Sequence, residues 1–107
     1  MRLSAAIYLP LDEIAALCQK HHIRKLALFG SVLRDDFRPD SDVDVLVEFE
    51  PGRVPGFGFI IVQDELSALL GREVDLNTPG FLSRHFRQQV MDSTLVVYTA
   101  PVYIESL

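Results

Sequence analysis

Four short runs, each too brief for a stable helix, punctuate this chain and limit what it can fold into. They are residues 25–29 (KLALF), 42–49 (DVDVLVEF), 73–77 (EVDLN) and 94–98 (TLVVY). Runs of this length, rich in valine and leucine and bounded by turn residues, read as strands. Gly30 stops the first, the Pro- and Gly-rich residues 51–58 follow the second, and Thr78-Pro79-Gly80 breaks the third. Helical spacing fills the intervals. Pro10 precedes Leu11, Ile14, Ala15, Leu17 and Cys18, with Asp12 and Glu13 in the first turn, where the helix dipole favours acids. Residues 59–70 place Ile60, Ile61, Leu66, Leu69 and Leu70 at mostly helical intervals before a Gly71 stop. One or two helical turns are predicted over 31–34, and a further helix over 81–91. After the leading helix the order is β-α-β-α-β-α-β, which predicts an α/β fold, a sheet with helices packed on it.

Residue content narrows the function classes. A chain of 107 residues, 49% hydrophobic, is rich enough in apolar groups to fold, and its length predicts one domain over 1–107. That size leaves little room for a second, substrate-binding unit. The formal net charge is −5, from 15 acidic and 10 basic residues, which disfavours direct nucleic-acid binding because phosphate recognition needs clustered Lys and Arg. Cys18, the single cysteine, has no internal disulfide partner and falls in an apolar helical pattern, so it reads as a small buried hydrophobe. The start of the chain lacks a signal-peptide pattern, and no apolar run approaches the roughly 18–20 residues that span a bilayer. A cytoplasmic protein with no membrane partner is the expectation.

Chemistry concentrates in residues 28–49, LFGSVLRDDFRPDSDVDVLVEF. At Gly30 a strand ends and the backbone can be approached closely; at Ser31 a helix begins, where free N–H groups and a partial positive charge suit a phosphate. A turn glycine followed by a serine N-cap explains the same two residues without any ligand. Asp42 and Asp44 are two apart on a strand, so they project from one face with Cα atoms roughly 6–7 Å apart. Such a pair can bind hard divalent cations through oxygen, or simply occupy exposed strand positions. Two like charges on one face cost stability unless a cation offsets them. Asp75, in the third short strand, completes the set if that strand lies beside 42–49: as a metal ligand, as a general base, or as a solvent-facing residue. His21, His22 and His85 share no ligand spacing with these aspartates and read as surface or capping groups. Phe59 reads as core, Phe57 is open, and Glu48 and Glu50 are expected to face solvent.

Taken together, Gly30-Ser31-x-x-Arg34-x-Asp36-x-x-x-x-Ser41-Asp42-x-Asp44, followed by LVEF and a later VDL, resembles the signature of the polymerase-β-type nucleotidyltransferase superfamily. It is similar in particular to the minimal nucleotidyltransferases, which include the antitoxin halves of prokaryotic HEPN/MNT toxin–antitoxin pairs. The likeness covers nearly the whole chain, including ALLGREVDLNTPG. It implies a polymerase-β-like fold, a mixed sheet of about four strands with helices packed on it. It also implies that Gly30 and Ser31 hold the triphosphate and that Arg34 lies beside the phosphates or the acceptor. Asp42, Asp44 and Asp75 would be the catalytic carboxylates and ligands of a two-metal Mg²⁺ site. Asp35 departs from the pattern, standing where many relatives carry a small residue.

The function implied is Mg²⁺-dependent transfer of AMP from ATP to a tyrosine hydroxyl of a cognate HEPN toxin. One alternative is a non-catalytic antitoxin that covers its partner's active site. Another is nucleotidylation of a small molecule, for which the chain is short.

Overall fold

The computed structural model describes residues 2–4, 7–33, 41–53, 55–79 and 93–101. Its elements follow the hydrophobic pattern closely. A small antiparallel pair, β1 (Arg2–Ser4) and β2 (Ile7–Tyr8), precedes helix α1 (Leu11–Lys20). Next come β3 (Ile23–Phe29), a single 3₁₀ turn at Gly30–Leu33, and β4 (Val43–Phe49). Helix α2 (Gly58–Leu70), β5 (Val74–Asn77) and β6 (Thr94–Thr99) complete the described elements. The pair β1–β2 has no counterpart in the sequence reading, because two- and three-residue strands carry no period. The helix expected over 81–91 lies outside the described residues.

The main sheet has the order β5-β4-β3-β6. Strands β3 and β4 run antiparallel, as do β3 and β6, whereas β4 and β5 are parallel. The sheet is therefore mixed, and the parallel pair is joined through α2, since parallel neighbours need a crossover connection. Being interior strands, β3 and β4 are apolar on both faces. On one face Leu26, Leu28, Val43, Val45, Val47 and Phe49 join Ile14 and Cys18 of α1 and Val62 and Leu66 of α2 in one core. Each of these side chains contributes about 1.5–3 kcal/mol by leaving water, which is why the alternation fixes the register so firmly. The opposite face carries a smaller buried group, Ala27, Phe29 and Leu46.

Helix α1 starts after Pro10 and buries Ile14 and Cys18, one turn apart, with Asp12 and Glu13 in its first turn. Its end is tied to α2: Glu65 accepts from Lys20 Nζ at 2.8 Å and lies 2.5 Å from His21 Nε2. His21 caps α1, as a capping histidine would. Phe59 packs on Phe49 with ring centroids 6.5 Å apart, while Phe57 is 89% exposed. Glu48 differs from the expectation of a solvent-facing acid: its side chain is mostly covered and pairs with Arg24 Nη2 at 2.6 Å. The reason is register, which sets Lys25 opposite Glu48 and brings the neighbouring Arg24 within reach.

Helix α2 ends where Gly71 adopts φ +66, a left-handed conformation that glycine enters without a Cβ penalty. The chain then returns as β5, the edge of the sheet. Two of its N–H groups are not left open: Val74 N–H donates to Ser67 Oγ and Leu76 N–H to Gln63 Oε1, each at 3.1 Å. Side chains of α2 thus occupy a row of donors that would otherwise invite another strand. They also hold the backbone on both sides of Asp75.

Candidate active site

Alternation, which buries Val43 and Val45 under the helices, turns Asp44 to the other face; the same rule buries Val74 and Leu76 and turns out Asp75. Register then brings the two acids together. Asp44 is the direct partner of Asp75 across the parallel pair β4–β5, and of Phe29 across the antiparallel pair β3–β4. Phe29, Asp44 and Asp75 form one row across three strands, with neighbouring strands about 4.8 Å apart. Asp44 is half-buried and Asp75 exposed. Asp42 stands one residue ahead of β4, exposed, beside the ladder bond from Val43 N–H to Glu73 O at 2.8 Å. Sequence separation of more than thirty residues between Asp44 and Asp75 is thereby closed by the crossover through α2.

Gly30 follows Phe29 at the end of this row. Its φ is +77, and a Cβ built there would collide with Asp44 Oδ2 and come within 3.3 Å of Asp44 Cγ. The glycine was expected to open the backbone to a phosphate. The structure gives it a second reason: a residue without a side chain lets the Asp44 carboxylate keep the place it has. Ser31 is half-buried in the 3₁₀ turn that begins at Gly30. In place of the one or two helical turns predicted over 31–34, the described residues to Leu33 form a 3₁₀ turn that begins one residue earlier, at Gly30. Among the described residues, the local N–H groups and the Ser31 hydroxyl are the groups this turn offers to an anion. Arg34, assigned to the phosphates or acceptor, lies outside the described residues.

Among the described residues no group of three or more His, Cys, Asp and Glu side chains forms a ready-made metal cage. Magnesium does not need one. It is commonly held by one or two carboxylates, with substrate phosphates and water completing its octahedron. The donors present fit that ion: hard carboxylate oxygens, adjacent in register, beside a glycine that clears room for one of them.

Four supporting residues were not assigned roles from sequence. Arg72 Nη2 donates to the Ser41 carbonyl at 2.9 Å, Asn77 Nδ2 donates to the Asp75 carbonyl at 3.1 Å, and Ser67 with Gln63 anchors β5. Each acts through backbone atoms distant in the chain or through local geometry, and neither leaves a periodic trace. The GREVDLN run that contains Arg72 and Asn77 was visible, but nothing in it shows where the side chains reach.

Comparison with known proteins places the sequence and the fold in a family. The nucleotidyltransferase domain family matches residues 13–97. The protein adenylyltransferase MntA of Thermococcus cleftensis is 34% identical over 98 residues, covering 83% of this chain and 97% of that protein. A solved candidate minimal nucleotidyltransferase superposes with a TM-score of 0.68 at 34% identity, covering 79% of this chain and 86% of that one. A Shewanella oneidensis MNT antitoxin complex with a tri-AMPylated HEPN toxin matches with a TM-score of 0.61 at 21% identity, over 84% of this chain and 70% of that one, a likeness of fold. Among the described residues no helix is long and apolar enough to cross a membrane.

Proposed function

This chain belongs to the nucleotidyltransferase domain family and is a nucleotidyltransferase, and from that premise we propose that it is the adenylylating antitoxin of a HEPN/MNT pair, transferring AMP from ATP to a tyrosine hydroxyl of its cognate toxin. The single observation that carries the reading is the pairing of Asp44 with Asp75 beside Gly30 at one end of the sheet. The MntA relative is named for protein adenylylation, and the fold neighbour is bound to an AMPylated HEPN toxin; both support the acceptor class.

In this reading the acceptor oxygen attacks the α-phosphorus of ATP, the bond to the α–β bridging oxygen breaks, and pyrophosphate leaves. Gly30 N–H and the Ser31 hydroxyl hold the triphosphate, with Arg34 beside it. Asp75 takes up the hydroxyl proton, a role that suits an exposed carboxylate at the rim. Asp42, Asp44 and Asp75 are the residues that would hold magnesium, which when bound neutralises charge on the attacking and leaving oxygens. Without a cation, the neighbouring carboxylates would repel the triphosphate.

The test is incubation with α-labelled ATP, Mg²⁺ and a lysate of the host, beside an Asp42→Asn/Asp44→Asn control. Label should move onto one protein band with wild type alone, as adenylyl-tyrosine. Transfer by the double variant at the wild-type rate would refute the mechanism. A double variant that transfers nothing yet still neutralises the toxin would make occlusion the antitoxic activity, and label on small hydroxylated acceptors alone would redirect the substrate class.

A further inference from the structure

The backbone at Asp42 is held on both sides by two consecutive residues of another segment. On its N-terminal side, the Ser41 carbonyl accepts from Arg72 Nη2 at 2.9 Å; on its C-terminal side, Val43 N–H donates to Glu73 O at 2.8 Å. Residues 72 and 73 lead directly into β5 and Asp75. The second of these bonds is ordinary parallel-sheet pairing that any sequence would make. The first needs a particular side chain, and it crosses 31 positions of sequence.

We infer that Arg72 is a positioning residue for the site: its guanidinium fixes the Ser41 carbonyl, so that Asp42 enters β4 at a set distance from Asp75. The inference rests on the metal-dependent reading above. Several features support it. Asp42 lies ahead of the strand, and among the described residues the bonds at its two neighbours tie it to the sheet. A charged donor to a neutral carbonyl is stronger than a neutral pair, and the planar guanidinium loses less freedom in making it than a lysine would. Arg72 is half-buried and follows the Gly71 stop, outside the apolar core that holds the sheet to the helices. Its removal therefore leaves the core intact and loosens the approach to Asp42. Groups that orient metal ligands from behind typically change affinity by about 10–100-fold when lost.

The experiment titrates Mn²⁺ into the full chain with α,β-methylene-ATP present, followed by electron paramagnetic resonance, with thermal unfolding measured on the same samples. Arg72→Met should weaken Mn²⁺ binding by about 10-fold or more while melting close to wild type, and Arg72→Lys should fall between. Wild-type Mn²⁺ affinity in Arg72→Met overturns the inference. If Arg72→Met does not fold, Arg72→Lys decides by the same criterion. Asp42→Asn/Asp44→Asn separates the two levels of argument. Should that control lose Mn²⁺ while Arg72→Met keeps it, only the role of Arg72 falls. Should the control bind Mn²⁺ as wild type does, the carboxylate site falls, and the role of Arg72 with it.

Discussion

Gly30→Ala and Gly52→Ala together isolate what the close approach to Asp44 is worth. Both glycines have φ +77, so alanine meets the same backbone strain at each. That strain is about 1–2 kcal/mol for an L-residue in the left-handed region, offset by about 0.4–1 kcal/mol from the stiffer unfolded chain. At Gly52 nothing lies within 4 Å of the new methyl, and the variant should lose only this net amount, about 1 kcal/mol by those terms. At Gly30 the methyl overlaps Asp44 Oδ2. The carboxylate is the far end of a short side chain and can rotate away, at an added cost of about 0.5–1.5 kcal/mol for leaving its rotamer. In a domain of about 100 residues each kcal/mol moves Tm by roughly 4–8 °C. Gly30→Ala should therefore melt several degrees below Gly52→Ala, a modest gap. The functional gap should be much larger, because moving a reacting group by about 1 Å can cost about 100-fold in rate. Thermal unfolding followed by circular dichroism gives the first comparison, and adenylyl transfer with Mn²⁺ titration gives the second. Equal Tm values with equal transfer and equal Mn²⁺ affinity in the two variants would refute the argument that Gly30 exists to make room for Asp44.

Two further outcomes follow from the charges and the thiol. Burial pushes Cys18 from its ordinary 9.0 to about 12, so the native protein should resist an aromatic disulfide reagent at pH 8 and react only as fast as it opens; rapid stoichiometric labelling without denaturant would contradict that burial. The Glu65 carboxyl is held below its ordinary 4.5, first by the hydrogen bond from Lys20 and then by His21. Its folded value is depressed, so its stabilisation is complete above 4.5 and is lost as pH falls through the folded value. Because the group is partly solvated, Glu65→Gln should cost under about 1 kcal/mol near neutrality, with the difference in Tm closing in acid and shrinking in high salt. A difference that persists unchanged to pH 3 would assign the effect to packing rather than charge.

The strands that build the site were legible because their constraint is local. Residues 25–29, 42–49, 73–77 and 94–98 announced themselves as short runs holding valine or leucine and bounded by turn residues, and the structure places β3, β4, β5 and β6 over them with shifts of one or two residues at the ends. The Asp42/Asp44 spacing was equally plain, since a period of two is a property of the strand itself. Two- and three-residue strands β1 and β2 escaped because they are too short to show any period.

What the sequence determined by itself is the set of elements, the face each side chain takes and the residue types available for the chemistry: these depend on neighbours within a few positions. Tertiary structure alone decided that β5 lies parallel to β4 with Asp75 opposite Asp44, that Gly30 abuts that carboxylate, and that Arg72 reaches back to Ser41. These contacts join residues up to 31 positions apart, and are settled by strand pairing and burial across the whole core rather than by any local preference. A linear pattern records which face a residue points to; only the packed sheet records what stands across from it.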